Sequence, residues 1–168
     1  MKTTKRIVIA ALFASLICVC TMVIRVPSPL NGYVNLGDCV VLLAAWMLSP
    51  LYAFLAAGIG SALADLFAGY VVYVPITFLV KGTMTVIVYG IFVLLNKKKK
   101  PFLARLTGGV LAETFMVIGY YLFEGLLYGF VSSLVNIPAN AIQGAAGLLL
   151  GILLIHLFEK QKTLSFLK

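Results

Sequence analysis

The basic residues of this chain fall into three clusters separated by long apolar stretches. Eleven of its thirteen Lys and Arg residues lie in these clusters. They are Lys2, Lys5 and Arg6; Lys97 to Lys100 with Arg105; and Lys160, Lys162 and Lys168. Short loops rich in Lys and Arg stay on the cytoplasmic side of a membrane. The pattern predicts a polytopic membrane protein with both termini and one central loop in the cytoplasm, and an even number of spans between neighbouring clusters.

The composition supports a membrane protein. Hydrophobic residues make up 62% of the chain and charged residues 11%, with a mean hydropathy of +1.11. These values lie outside the range of soluble domains. The net charge of +8 flanks apolar segments, which indicates contact with anionic lipid headgroups rather than with nucleic acid. We expect residues 1–168 to form a single integral membrane domain, with no room for a second, soluble one.

The apolar segments predict an all-α bundle of six transmembrane helices. The first runs from Arg6 to Ile24, and no signal-peptidase pattern follows it, so we expect an uncleaved helix. Ser49-Pro50 separates the second and third spans, because proline disfavours helix at the residue before it. The remaining spans are predicted at 37–48, 51–68, 75–95, 102–122 and 137–158.

Small residues recur every four positions in the first span. Ala10 pairs with Ala14, and Ala11 pairs with Ser15. Such patches let helix backbones approach closely in lipid. Two interpretations stay open for these four residues: packing inside the bundle, or docking of a partner's helix.

Polar residues inside the predicted spans are candidates for function, because they are costly in the bilayer. They form three stripes at helical spacing, one each on the fourth, fifth and sixth spans. The stripes are Tyr73, Thr77 and Lys81; Glu113 and Tyr120; and Asn136, Asn140 and Gln143. We expect them to face a polar chamber that opens outward and suits a small polar aromatic molecule. Glu113 is the strongest single candidate.

Structural roles compete with these assignments. Lys81 could pair with Asp65 or Glu113 inside the bundle, and Asp38 could cap the second span. The amides of the sixth span could join helices. With one histidine and no polar cysteine cluster, the sequence predicts no metal site. It also predicts no catalytic residues, because no plausible nucleophile–base pair or nucleotide-binding motif is present.

The whole chain resembles the substrate-binding S component of an energy-coupling factor (ECF) vitamin transporter. The resemblance rests on the AALFASL segment of the first span and on YVNLGDCVVLLAAWMLSPLYAFLAAGIGSALADLFAGY, residues Tyr33 to Tyr70. The second segment is similar to the subgroup associated with hydroxymethylpyrimidine and vitamin B6 compounds. This resemblance implies a six-helix subunit of a bacterial cell-membrane importer, which is not an enzyme and carries no cofactor.

The resemblance also implies roles for particular residues. Arg25 to Asn35 would form a lid loop over the pocket, adding Asn31, Tyr33 and Asn35 to the candidate ligand-binding residues. Ala10, Ala11, Ala14 and Ser15 would dock onto a transmembrane scaffold subunit driven by two ATPases. The expected ligand is a vitamin B6 compound, then hydroxymethylpyrimidine, then pantothenate or riboflavin. A transporter that works alone, with Glu113 as its proton site, is the competing hypothesis.

Overall fold

The chain folds almost entirely into helices. A computed structural model describes residues 3–28, 32–96 and 100–160. Its helices are α1 (Thr3–Val23), α2 (Gly37–Met47), α3 (Pro50–Phe67), α4 (Val74–Asn96), α5 (Pro101–Tyr128), the one-turn α6 (Phe130–Ser133) and α7 (Ile137–Lys160). Short 3₁₀ turns, Val71–Tyr73 and Leu134–Asn136, precede α4 and α7. The all-α membrane class predicted from the sequence is confirmed.

A small β-hairpin follows α1, where the sequence predicted a loop. Strand β1 (Arg25–Pro27) pairs with the antiparallel strand β2 (Tyr33–Asn35), with Val26 opposite Val34. Asn31, a candidate ligand-binding residue, lies outside the described residues. Both strands are only three residues long, too short for their alternation to be visible in the sequence.

Five helical segments of the described chain are long and apolar enough to cross a membrane. They are Thr3–Val23, Pro50–Phe67, Val71–Leu95, Pro101–Tyr128 and Phe130–Lys160. The predicted second span is instead the 11-residue α2, which at 1.5 Å per residue measures about 16 Å. A hydrocarbon core is about 30 Å thick, so α2 by itself is too short to cross it.

The bundle has two distinct ends, which we call the hairpin end and the basic end. At the hairpin end, the Tyr33 hydroxyl on β2 reaches Asp65 near the end of α3. At the basic end, Arg105 near the start of α5 donates two hydrogen bonds to Glu159 near the end of α7, at 2.8 and 2.6 Å. Helix α1, which precedes the hairpin, and the long helices that follow it therefore run alternately toward the hairpin end and toward the basic end.

Helix α2 forms the centre of the bundle. Every residue from Gly37 to Ala45 is buried, and the helix packs against α1, α3, α4 and α7. The hairpin enters the bundle above it, because the backbone N–H of Asn35 lies 2.8 Å from Oε1 of Gln143 in α7. At the hairpin end, the centre of the bundle is thus filled by β2 rather than by a longer α2.

Helix α5 is longer than predicted. The sequence predicts its end near residue 122 and a loop from Glu124 to Val135, but the helix continues to Tyr128 and stops at Gly129, which has φ = 91°. Glu124 is therefore a helical residue and is only 3% exposed. Its carboxyl group accepts hydrogen bonds from Tyr73 and Asn136 inside the protein, so its polar atoms have partners within the longer helix.

The small residues of α1 divide between two faces. Ala10 is buried and Ala14 is half-buried, and the backbone oxygen of Ala14 lies against Gly60 of α3. Ala11 and Ser15 are exposed. The structure therefore shows internal packing for the Ala14 face and leaves Ala11 and Ser15 exposed on the other face, where the Ser15 hydroxyl donates a 3.0 Å hydrogen bond to the Ala11 carbonyl.

Candidate ligand-binding site

A polar pocket lies at the hairpin end, enclosed by the hairpin and by α3, α4, α5 and α7. Four tyrosine side chains, two carboxylates, three amides and two hydroxyl side chains line it. The lining residues are Ser28, Gly32, Tyr33, Asn35, Asp65, Tyr70, Tyr73, Thr77, Tyr120, Glu124, Asn140 and Gln143. We call this the outer pocket.

The hairpin covers the outer pocket through Tyr33. The Tyr33 hydroxyl donates a 2.5 Å hydrogen bond to Oδ1 of Asp65, and its ring lies 4.9 Å from the ring of Tyr70. A tyrosine phenol ionises only near pH 10. The phenol therefore keeps its proton at neutral pH and acts as the donor that holds β2 against α3.

The wall of the outer pocket is formed by paired side chains from α4 and α5. The hydroxyls of Thr77 and Tyr120 lie 3.0 Å apart. Glu124 accepts hydrogen bonds from Tyr73 at 3.3 Å and from the Asn136 amide at 3.0 Å. These contacts fix the directions of the rings and amides before any ligand enters.

The floor of the outer pocket is a chain of hydrogen bonds that runs into the core. Oε1 of Gln143 accepts from the backbone and side chain of Asn35, and its Nε2 donates to Asp38 at 2.6 Å. Asp38 in turn forms an ion pair with Lys81. The position of β2 is thereby linked, through one glutamine, to a buried pair of charges.

The structure brings together most of the polar residues predicted from the sequence. Seven of the eleven candidates line the outer pocket: Tyr33, Asn35, Tyr73, Thr77, Tyr120, Asn140 and Gln143. Asn136 lies behind the pocket on Glu124. Lys81 and Glu113 do not line it, contrary to the expectation that all three stripes face one chamber.

Lys81 and Asp38 pair with each other, a pairing that was predicted from the sequence for neither residue. Lys81 pairs with Asp38, not with Asp65 or Glu113. Asp38 lies in the first turn of α2, whose N-cap residue is Leu36, and its carboxylate accepts hydrogen bonds from Lys81 and Gln143. Each side chain is turned inward because the other supplies the opposite charge there.

Comparison with known proteins identifies the family. The family model described as the S component of an ECF-type riboflavin transporter matches residues 1–160. The chain belongs to this family. It is a family of transporter subunits that bind substrate, not an enzyme family.

Two individual relatives extend the comparison. This S component is 35% identical over 146 residues to an "Uncharacterized protein in gap 3'region" of Pyrococcus woesei, covering 86% of this chain and 95% of the relative. Its fold matches a solved structure described as "Structure and mechanism of the S component of a bacterial ECF transporter". That match has a TM-score of 0.75 and 24% identity, and it covers 95% of this chain and 98% of the other.

Several lining residues of the S component were not among the sequence candidates. Asp65 and Glu124 are the two carboxylates of the outer pocket, and Tyr70 contributes a ring. Asp65 is predicted from the sequence only as a possible partner of Lys81, and Glu124 lies beyond the predicted end of the fifth span. The signal that could have found Glu124 is its spacing, because it lies four residues after Tyr120 and so shares its face of a longer α5.

Proposed function

We propose that this S component binds a vitamin in the outer pocket and delivers it to an ATP-driven ECF importer. Delivery requires docking onto a transmembrane scaffold subunit that carries two ATP-binding subunits. The ligand-binding residues are those that line the outer pocket. The observation that carries this proposal is the set of four tyrosine rings and three amides held in place under the hairpin.

The charges around the outer pocket favour one chemical class of vitamin. Its lining includes Asp65 and Glu124 but, among the described residues, no Lys or Arg. Lys81, the cation that could have met a ligand carboxylate, is held by Asp38. A carboxylate ligand such as pantothenate would therefore meet repulsion without a matching cation.

A small hydroxylated pyridine or pyrimidine fits the same lining. Its ring can stack on tyrosines, and its hydroxyl groups and ring nitrogens can pair with amides and carboxylates. We propose a vitamin B6 compound or hydroxymethylpyrimidine as the ligand. Riboflavin, which the matching family model names, is the second candidate.

The hairpin would have to move for any of these molecules to enter. The outer pocket measures about 410 Å³ including its open side, but only about 40 Å³ of it is free for the centres of water molecules, which is room for about three of them. A vitamin ring with its substituents is several times larger. Among the described residues, the hairpin is held by the Tyr33 hydrogen bond to Asp65 and by the Asn35 hydrogen bonds to Gln143. We propose that β2 swings outward by breaking these bonds to admit the ligand and closes again over it.

The membrane topology follows from the same elements. We propose six passes, in which β2 and α2 together make the second pass between the hairpin end and the basic end. The hairpin end faces outward, and both termini lie in the cytoplasm with the basic clusters, as the positive-inside rule requires. Labelling of single introduced cysteines by a membrane-impermeant reagent in intact cells would test this arrangement.

The deciding experiment is the identification of the bound molecule. The S component is purified gently from its membrane and denatured, and the released small molecules are analysed by mass spectrometry. Protein that releases nothing is incubated with vitamin B6 compounds, hydroxymethylpyrimidine, riboflavin and pantothenate, and binding is measured by calorimetry. Stoichiometric binding of a pyridine or pyrimidine supports the proposal. Riboflavin binding would keep the transport role and change the ligand, and no binding to any of the four would overturn the proposal.

Reconstitution separates this proposal from a transporter that works alone. We expect sustained uptake into liposomes only when the scaffold and ATP-binding subunits are present with ATP. Uptake by the S component alone, driven by a proton gradient, would favour the competing mechanism.

A further inference from the structure

A second cavity lies between α5 and α7, separate from the outer pocket. It shares none of the residues that line the outer pocket, and it measures about 530 Å³ including its open side. It is lined by Val110, Glu113, Thr114, Val117, Ala141, Gly144, Ala145 and Leu148. We call it the α5–α7 groove. Val110, Thr114, Ala141 and Ala145 are exposed on its rim, so it opens on the outer surface of the bundle.

Glu113 is the ionisable residue among those that line this groove, and its carboxylate has no hydrogen-bond partner among the described residues. Its side chain is buried, with only 6% of the residue exposed, and neither oxygen finds a donor among the described residues. The buried ammonium of Lys81 is held by Asp38 and by the sulfur of Met116 instead. A buried polar group without a partner costs about 1–3 kcal/mol, and more when it is charged. The Glu113 carboxylate therefore lacks the hydrogen-bond donor that a buried carboxylate needs.

Small residues of α7 give access to this carboxylate. Ala141 and Ala145 are four residues apart on the rim, with Gly144 beside them. A Cβ atom at Gly144 would lie 2.9 Å from Oε2 of Glu113, so only glycine leaves the carboxylate open at this point. Small residues that recur at this spacing allow a helix backbone to approach closely, and polar side chains between helices stabilise the contact.

The depth of Glu113 limits what can reach it. It is the thirteenth of 28 residues in α5, about 18 Å from the start of a helix roughly 42 Å long. This places it near the middle of the bilayer, beyond the reach of lipid headgroups at either surface. A side chain carried by a transmembrane helix can deliver a donor at that depth.

We propose that the α5–α7 groove is a docking site for a transmembrane helix of a partner protein that carries a Lys or Arg side chain at mid-membrane depth. The helix packs on Ala141, Gly144 and Ala145, and its cation pairs with Glu113. The Glu113 carboxylate and the partner's cation carry opposite charges, and each would supply the hydrogen-bond partner that the other needs in the membrane. This site is on a different face from the exposed Ala11 and Ser15 of α1, and it does not depend on which ligand occupies the outer pocket.

Photo-crosslinking in the native membrane tests this proposal. A benzophenone amino acid replaces Val110 on the groove rim, and the matched control replaces Val86, which is similarly exposed on α4. Crosslinked peptides from the full-length protein are identified by mass spectrometry. We expect Val110, and not Val86, to capture one transmembrane helix that contains a Lys or Arg.

Variants of the groove then show whether the contact depends on the carboxylate. Glu113→Gln should lower the crosslinking yield about tenfold, as expected for a charge-assisted hydrogen bond. Ala145→Leu fills the groove without touching the carboxylate and should lower the yield as well. A charge exchange combines Glu113→Lys with replacement of the captured basic residue by Glu. This combination should restore the crosslinking yield. The unfolding temperature of each variant in detergent shows that the fold is intact.

Other outcomes would overturn the proposal. They are capture of lipid only, capture of a second copy of this chain, capture of a helix without a basic residue, or a yield that Glu113→Gln does not change.

Discussion

Asp38 of α2 and Lys81 of α4 form an ion pair at the centre of the bundle, where their side chains are 0% and 4% exposed. The pair lies directly under the outer pocket, because Gln143 connects Asp38 to Asn35 of the covering hairpin. A buried charge is tolerated only when it is paired and hydrogen-bonded. The pair therefore sets the position of Gln143, and through it the floor of the pocket.

Replacing Lys81 by Met should strongly destabilise the protein. Met has a similar length but no charge, so Asp38 would remain as an uncompensated buried carboxylate, at a cost of about 3–5 kcal/mol. For a chain of this size that corresponds to a fall in unfolding temperature of roughly 6–20 °C. Thermal unfolding in detergent, followed by tryptophan fluorescence of Trp46, measures it.

The double variant Asp38→Asn, Lys81→Met is the control for that experiment. It removes both charges and keeps an acceptor for Gln143, so it should be more stable than Lys81→Met alone. An equal loss in the single and double variants would show that the ion pair itself does not stabilise the bundle.

Replacing Tyr33 by Phe should weaken ligand retention by the outer pocket. The ring and its contact with Tyr70 remain, but the hydrogen bond to Asp65 is lost. A hydrogen bond to a charged group contributes about 1.5–3 kcal/mol, so we expect the ligand to dissociate about tenfold faster or more. Stopped-flow dissociation measures this rate. Tyr89→Phe, on the exposed part of α4, is the matched control, and equal rates in the two variants would contradict the closing role of Tyr33.

Glu124 and Glu113 should affect ligand binding differently. Glu124 lines the outer pocket, whereas Glu113 lines the α5–α7 groove. Calorimetry should show weaker binding for Glu124→Gln, by about tenfold, and unchanged affinity for Glu113→Gln. The opposite result would place the ligand between α5 and α7.

Ala11 and Ala14 should respond differently to a bulky side chain. Ala11 is exposed on α1, whereas the Ala14 backbone packs against Gly60 of α3. Ala11→Trp should leave the unfolding temperature and ligand affinity unchanged but reduce co-purification with the scaffold subunit. Ala14→Trp should lower the unfolding temperature, because overpacking a tight helix contact costs about 1–3 kcal/mol. Normal assembly of Ala11→Trp would remove this face of α1 from the docking surface.

Arg105 and Glu159 should contribute unequally at the basic end. Glu159 is 42% exposed at its side chain, and such pairs contribute about 0–1 kcal/mol. Glu159→Gln should therefore be nearly neutral. Arg105 also lies 6.0 Å from the ring of Trp46 and 5.8 Å from that of Phe92, so Arg105→Ala should cost measurably more. Thermal unfolding of both variants compares them, and equal stability would show that these ring contacts do not contribute.

Periodic features of the sequence predicted the structure best. The three polar stripes are regular on α4, α5 and α7, and seven of the eleven candidates line one pocket. The length of α2, the hairpin and the end of α5 could not be predicted in the same way. Each depends on a contact with a distant part of the chain, such as Asn35 with Gln143 or Glu124 with Asn136.

The sequence by itself determined that this protein is a helical membrane protein with a polar interior, because hydropathy and charge act locally along the chain. The tertiary structure alone decided which polar side chains share the outer pocket and which do not. Lys81 and Glu113 have the same status in the sequence, as charged residues in the middle of apolar segments. Their different roles follow from the neighbours they meet: Asp38 neutralises Lys81 in the core, whereas the Glu113 carboxylate meets no donor among the described residues and lines the α5–α7 groove.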